Sequence, residues 1–229
     1  NGNDLTSNDF YWFTDPWEGA FCCAYKYGDN VTNARNADAS DGQVHPHWAF
    51  VETGEPGGAS DPDPKRSITP AEVRAAVWHS IIAGARGVLY FQHSFGDGTG
   101  GGSCTGDHHT IRSNCEGTRP IVTSVDQQIT NLAGVLSSPS VTSDQSVSGP
   151  VRRLVKWDGQ NFYVIMGATT GGGTGTFSMP CVGDASATKL GETTGALSIP
   201  VTGGSFSDSF TDRNAVHIYR IDGGSTCGL

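Results

Sequence analysis

Two short apolar runs, residues 47–53 (HWAFVET) and 87–95 (GVLYFQHSF), flank the best-defined helical pattern of the chain. Each run is rich in aromatic and β-branched residues, too short for a free-standing helix and bounded by Gly, Pro or polar clusters, which predicts a buried strand. Between them, Thr69-Pro70-Ala71-Glu72 supplies a capping hydroxyl, a proline at the first helical position and an acid in the first turn. A helix start favours all three, because its N–H groups lack partners and carry the positive end of the macrodipole. Val73, Ala76, Val77, Ile81 and Ala85 then recur at helical spacing, and Gly84 and Gly87 mark the end. Strand, capped helix and strand form a βαβ unit whose two strands are expected to be parallel and covered on both faces.

Elsewhere the pattern is looser. Residues 5–13 read as a further strand, and residues 14–46 as a long connection rather than one tidy helix. The stretches 53–67 and 96–120 are Gly-, Pro- and Asp-rich loops. Ile121, Val125, Ile129, Leu132 and Leu136 return to helical spacing, and Ser137-Ser138-Pro139 stops that helix. Beyond it the period changes to two: residues 151–157, 161–166, 175–179, 197–201 and 215–220 are short strands between Gly- and Asp-rich turns, with a hairpin signal at Trp157-Asp158-Gly159-Gln160-Asn161. The fold class is α/β followed by all-β, divided into residues 1–137 and a small antiparallel β-sandwich over 150–229.

Glu52 is the conspicuous residue of this pattern. Alternation puts Trp48, Phe50 and Glu52 on one face, so an apolar strand face ends in a carboxylate. Such a group is costly to bury without partners, and the carboxyl ends of parallel strands are where α/β barrels build their sites. The plainer alternative is a strand-end glutamate leaning into solvent. Glu55, Asp61 and Asp63 are further carboxylates, set in a loop whose composition suits a solvated wall of a cleft.

The segments WAFVETG and ITPAEVRAAVWHSIIAGARGVLYFQHSFG resemble the seventh strand, seventh helix and eighth strand of a clan A-type (β/α)8 glycoside hydrolase. The resemblance implies a TIM barrel of which residues 1–137 are the second half, strands six to eight, followed by the β-sandwich that often accompanies it. Half a barrel leaves an unpaired parallel edge and an open core, so the complementary N-terminal half is expected from another chain or segment. On this resemblance Glu52 is the nucleophile of a retaining glycosidase, and the general acid/base ends strand four, on that other half. Tyr11, in an Asp-x-Tyr strand end, takes the place of the tyrosine that orients the nucleophile. No metal or organic cofactor is required.

Substrate contacts are expected at the same edge. Asp9 and the aromatic Trp12 and Trp17 lie where flat faces stack on sugar rings, with Tyr25 and Tyr27 nearby; the competing reading makes two of these four aromatics ordinary packing residues. In the last strand of the βαβ unit Gln92 and His93 alternate, so one or the other faces a sugar subsite.

Six cysteines in a loop-rich chain suit an oxidising compartment, so the protein is expected to be extracellular or secreted, virion- or cell-surface association included. Cys104 and Cys115, eleven residues apart, read as a disulfide closing the 96–120 loop. His108 and His109 between them raise a zinc alternative, although C-x10-C matches no compact zinc module. Cys181 and Cys227 are placed to tie the end of the sandwich to its body, and of the adjacent Cys22 and Cys23 either one member pairs with the missing segment or both are buried thiols. A net charge of −9 argues against a nucleic-acid partner, and no run approaches the ~18 apolar residues of a membrane span. The reading expected is thus a carbohydrate-cleaving enzyme. Its rivals are a non-catalytic carbohydrate-binding or structural module of adhesin or phage-tail type, and a metal-dependent hydrolase built on His108, His109 and a carboxylate.

Overall fold

The computed structural model describes residues 4–14, 22–42, 44–54, 66–94, 104, 106–192, 197–223 and 227. Trp17, Glu55, Asp61 and Asp63 lie outside the described residues. The chain divides into two compact units, Asn1–Val125 and Asp126–Leu229. The division falls inside a helix, upstream of the boundary expected at residue 137.

In the first unit the elements run β1 (Thr6–Asn8), α1 (Tyr25–Asp38), β2 (His47–Glu52), α2 (Pro70–Ile82), β3 (Gly87–Phe91), the single turn α3 (Thr110–Ser113) and the start of α4 (Arg119–Asn131). The sheet has the order β1-β2-β3 and both pairings are parallel. Register sets Trp48 beside Gly87, Phe50 beside Leu89 and Glu52 beside Phe91. His47, Ala49 and Val51 are buried on one face; on the other, Trp48 is exposed and Phe50 half-buried. Trp48 lies across Gly87, where a Cβ would come within 2.9 Å of the indole ring.

Helix α2 starts as its sequence dictates. The Thr69 hydroxyl accepts from the Glu72 N–H, and the Glu72 carboxylate accepts from the Thr69 N–H, a reciprocal capping box behind Pro70. Burial extends beyond one stripe, taking in Val73, Ala75, Ala76, Val77, Trp78, His79, Ser80, Ile81 and Ile82. A helix apolar all round belongs inside. At its end Gly84 has φ +96°, and a Cβ there would lie 2.1 Å from Arg35, whose guanidinium donates to the Ala83 carbonyl at 2.9 Å. Glycine thus supplies both the left-handed turn and the room for a cation on the C-terminal carbonyls.

Three expectations for this unit are corrected. The strand over residues 5–13 shrinks to Thr6–Asn8, because the chain turns at Tyr11, whose carbonyl accepts from the Thr14 N–H at 3.2 Å. The connection over 14–46 contains a full helix, α1, which has no side-chain cap and buries only Tyr27, Gly28 and Val31. Its polar sequence hides it: packing against α2 and β2 holds it more than propensity does. The run 87–95 is strand only to Phe91.

The helix expected over 120–136 is split into α4 and α5 (Ala133–Ser137) around Leu132. Among the described residues the second unit then adds eight strands: β4 (Ser146–Ser148), β5 (Val151–Trp157), β6 (Asn161–Ala168), β7 (Gly173–Ser178), β8 (Ala185–Lys189), β9 (Ser198–Val201), β10 (Ser205–Phe210) and β11 (Val216–Asp222). They form two antiparallel sheets, β5-β6-β11-β8-β9 and β10-β7-β4. The sheets share one core, to which the first contributes Phe162, Met166 and Tyr219 and the second Phe177, Phe206 and Phe210. The hairpin at Gly159 (φ +95°) joins β5 to β6, with the Asp158 carboxylate accepting from the Gln160 and Asn161 N–H groups at 2.8 and 2.7 Å. Asp208 on β10 pins the small sheet to the large one: its Oδ2 lies 2.7 Å from Lys189 Nζ of β8, accepts from Tyr219 of β11 at 2.6 Å and lies 2.8 Å from His217.

Three disulfides are formed. Cys181 pairs with Cys227 and Cys104 with Cys115, with Cα separations of 4.9 and 5.3 Å. Cys22 and Cys23 pair with each other, where the sequence suggests two buried thiols or one member bonded to another segment. Among the described residues no helix is long and apolar enough to cross a membrane.

The Cys181–Cys227 bridge spans 46 residues. Replacing both cysteines by serine is expected to lower the unfolding free energy by about 4 kcal/mol through the freed entropy of the denatured chain. Denaturant unfolding followed by circular dichroism measures this; an unshifted midpoint would show the bridge to be energetically idle.

Candidate active site

The site is built where β2 ends. Its apolar alternation stops at Glu52, whose side chain is fully buried. Both carboxylate oxygens are engaged: the Tyr27 hydroxyl from α1 donates to Oε2, and the Phe13 backbone N–H donates to Oε1 at 3.2 Å. The turn at Tyr11–Thr14 aims that N–H inward. The Phe13 ring stacks on Tyr27 with centroids 5.7 Å apart, so the two donors also support each other.

These surroundings pull in opposite directions on the proton. Burial raises the Glu52 pKa to about 7, with a smaller push from the Glu72 carboxylate; the bonds from Tyr27 and Phe13 oppose it. Tyr27 is driven well above the ordinary phenol range, by burial first and then by the Glu52 charge, so it remains a donor.

The residue after Glu52 fastens the strand end to its neighbours. The Thr53 hydroxyl donates to the Phe91 carbonyl at 2.9 Å and lies 3.0 Å from the Thr110 hydroxyl. Thr118 donates to the Thr53 carbonyl at 3.2 Å. Thr110 and Thr118 flank the segment containing Cys115, so the disulfide-closed loop bears directly on the residue beside the carboxylate.

The hydroxyl on Glu52 is that of Tyr27, where the sequence had pointed to Tyr11. The Tyr11 hydroxyl donates to Asp9 at 3.4 Å, and its ring lies 5.2 Å from Phe91, because the turn carries it toward β3. Phe91 in turn stacks on His93 at 6.4 Å, and the His93 Nε2 is 2.7 Å from the His108 Nδ1. Burial, and then the neighbouring His108, hold His93 below the usual imidazole range. Asp9, Tyr11, Phe91, His93 and His108 thus form one continuous contact chain beside the carboxylate. Asp9 and Gln92 are exposed. Trp12 is half-buried, stacked on Phe10 at 6.1 Å, with Lys26 Nζ 4.7 Å above its ring. Among the described residues no group of three or more His, Cys, Asp or Glu side chains is arranged to hold a metal ion.

Neither a family model nor a curated protein matches the chain. Solved structures do. A β-L-arabinopyranosidase of glycoside hydrolase family 27 from Geobacillus stearothermophilus superposes with a TM-score of 0.55 at 10% identity, covering 96% of this chain and 45% of that one. An α-amylase from Geobacillus thermoleovorans gives 0.51 at 8% identity, covering 86% and 46%. Both are TIM-barrel glycosidases. The fold is glycosidase-like. The chain spans less than half the length of either structure, and identity this low speaks for fold alone.

A carboxyl group with a folded-state pKa near 7 and an ordinary value of 4.5 favours folding below about pH 4.5 and loses that contribution as the pH rises through 7. The stability of the wild type is therefore expected to fall across this window by about 3 kcal/mol more than that of Glu52→Gln. Urea unfolding at a series of pH values tests this, and parallel profiles for the two proteins would place the titration elsewhere.

Proposed function

We propose that this chain is part of a retaining glycoside hydrolase acting on an oligosaccharide or polysaccharide, with Glu52 as its nucleophile. The observation that carries the reading is a buried carboxylate at the carboxyl end of a parallel strand, held by two donors, in a glycosidase-like fold. In this reading Glu52 attacks the anomeric carbon while a second carboxyl group, ~5–5.5 Å away, protonates the leaving oxygen; water then hydrolyses the glycosyl ester with that second group acting as base. The second group belongs to the half of the barrel outside residues 1–137. That half would pair with the parallel sheet edges and cover the face carrying Trp48 and Phe50.

Tyr27 and the Phe13 N–H hold the attacking carboxylate in one orientation and favour its charged form. Asp9, Trp12 and one of the pair Gln92 and His93 would line the sugar subsites at the same edge. Three disulfides suit an extracellular protein. The sandwich reading of the second unit rests on its two sheets sharing a core.

Glu52→Gln in the complete protein is expected to reduce turnover of an activated aryl glycoside by about three orders of magnitude or more while leaving saccharide binding in place. In the wild type, kcat/KM should rise with pH through about 7 as Glu52 ionises. A 2-fluoro glycoside with a good leaving group should add one sugar mass to Glu52. Undiminished turnover in Glu52→Gln would remove the nucleophile assignment, and saccharide binding without turnover in the wild type would leave a carbohydrate-binding module in its place.

A further inference from the structure

Glu52 receives its two donors from segments that are themselves held by a third. Arg66, in the segment leading into α2, donates from Nε to the Phe13 carbonyl at 2.6 Å and pairs through Nη2 with Glu72 Oε1 at 2.6 Å. Its guanidinium also lies over the Phe13 ring, 5.7 Å from the centroid. The other Glu72 oxygen is fixed by the Thr69 N–H and hydroxyl, both at 2.9 Å. The capping box of α2 therefore anchors an arginine, and that arginine grips both the backbone and the ring of the residue whose N–H meets the carboxylate.

We propose that Arg66 is a positioning residue for Glu52, acting through Phe13: it fixes the backbone that donates to one carboxylate oxygen and the ring that packs against the Tyr27 phenol donating to the other. The fork geometry matters, because one planar group must reach a carbonyl and a carboxylate at once, which a lysine ammonium on a flexible stem does less well. A purely structural arginine would serve the helix cap and leave Glu52 indifferent. The contacts argue otherwise, since Nε is engaged by the Phe13 carbonyl and only Nη2 by the Glu72 carboxylate of the cap. The groups acting on the Glu52 charge are Tyr27 from α1, the backbone of Glu52 itself, the Phe13 N–H from the turn and the Glu72 carboxylate from α2. Two of these four, Phe13 and Glu72, are touched by Arg66. The inference deepens the nucleophile reading and rests on it for its catalytic meaning, although the positioning itself does not.

The test follows the Glu52 carboxyl carbon by 13C NMR in the complete protein labelled at glutamate, with Glu52→Gln assigning the signal. Arg66→Met is expected to move the Glu52 titration upward by about half to one pH unit, as the Phe13 donor is loosened, and to speed hydrogen exchange at the Phe13 amide. Arg66→Lys, which keeps the charge, should restore part of both. Thr69→Ala, which removes the cap hydroxyl but keeps the Thr69 N–H on Glu72 and both Arg66 contacts, should lower thermal stability and move the titration by much less. A titration unchanged in Arg66→Met overturns the proposal, as does full restoration by lysine, which would mean that charge alone acts. An equal shift in Thr69→Ala overturns it too, by reducing Arg66 to part of the cap. If the protein is a glycosidase, the acidic limb of kcat/KM for a 4-nitrophenyl glycoside moves with the carboxyl signal. A shifted signal in a wild type and variants that turn over no such glycoside would end the glycosidase reading while leaving the role of Arg66 intact.

Discussion

The first unit is organised by the cost of placing one carboxylate out of water. Burying an unpartnered ionised carboxylate is prohibitive, and Glu52 is admitted only because a backbone N–H and a phenol meet its two oxygens. Those donors come from the turn after β1 and from α1, so the strand, the turn and the helix must be in place together. Local propensity secures none of the three alone. The strand is three residues long, the helix has no side-chain cap, and the turn exposes Phe10.

The two ends of the βαβ unit are treated differently. At the amino end of β2, His47 sits with Thr6 at 3.0 Å and Asn8 at 2.9 Å on its two ring nitrogens, joining β1 to β2, and Arg35 satisfies the Ala83 carbonyl at the end of α2. Burial holds the His47 ring below the usual imidazole range, which suits a neutral bridge. Those groups answer one another and leave little chemistry over. At the carboxyl end the carboxylate is met by donors that do not neutralise it, and a chain of aromatic and imidazole rings runs beside it. The asymmetry is the one a barrel scaffold uses, with stability at one edge and reactivity at the other.

What the sequence made legible follows the strength of local signals. The capping box at Thr69, the alternation through Glu52 and the hairpin at Gly159 are decided by neighbours in the chain, and each was readable. Helix α1 was not, because YKYGDNVTNARNAD carries few apolar residues and its burial of Tyr27 and Val31 depends on α2. Strands β4, β8 and β10 escaped for a related reason: SVS, ASATK and SFSDSF are rich in serine and threonine, and pairing with β7, β9 and β11 is what makes them strands. The orienting role of Tyr11 rests on the resemblance alone, which puts a tyrosine at the end of strand six, whereas the hydroxyl on Glu52 comes from α1. Which tyrosine reaches a carboxylate is decided by a turn and a helix crossing, and neither leaves a mark on spacing.

A likeness of fold at about a tenth identity leaves the chemistry to be argued from the site, and there the balance on Glu52 is the deciding quantity. A group with its pKa near 7 is close to half-charged at neutral pH, and one charge-assisted hydrogen bond, about 1.5–3 kcal/mol, is enough to shift its titration by one to two pH units. An attacking carboxylate must be ionised, so the nucleophile reading depends on each donor staying at its post. Tyr27 is fixed by burial in α1 and by the Phe13 ring, and the Phe13 N–H by a turn clasped to the start of α2. The same desolvation that opposes the charge also removes competing water from those bonds and makes each stronger. Packing around the donors therefore sets the charge of Glu52 as directly as the donors do, which is why residues that never touch the carboxylate belong to its chemistry.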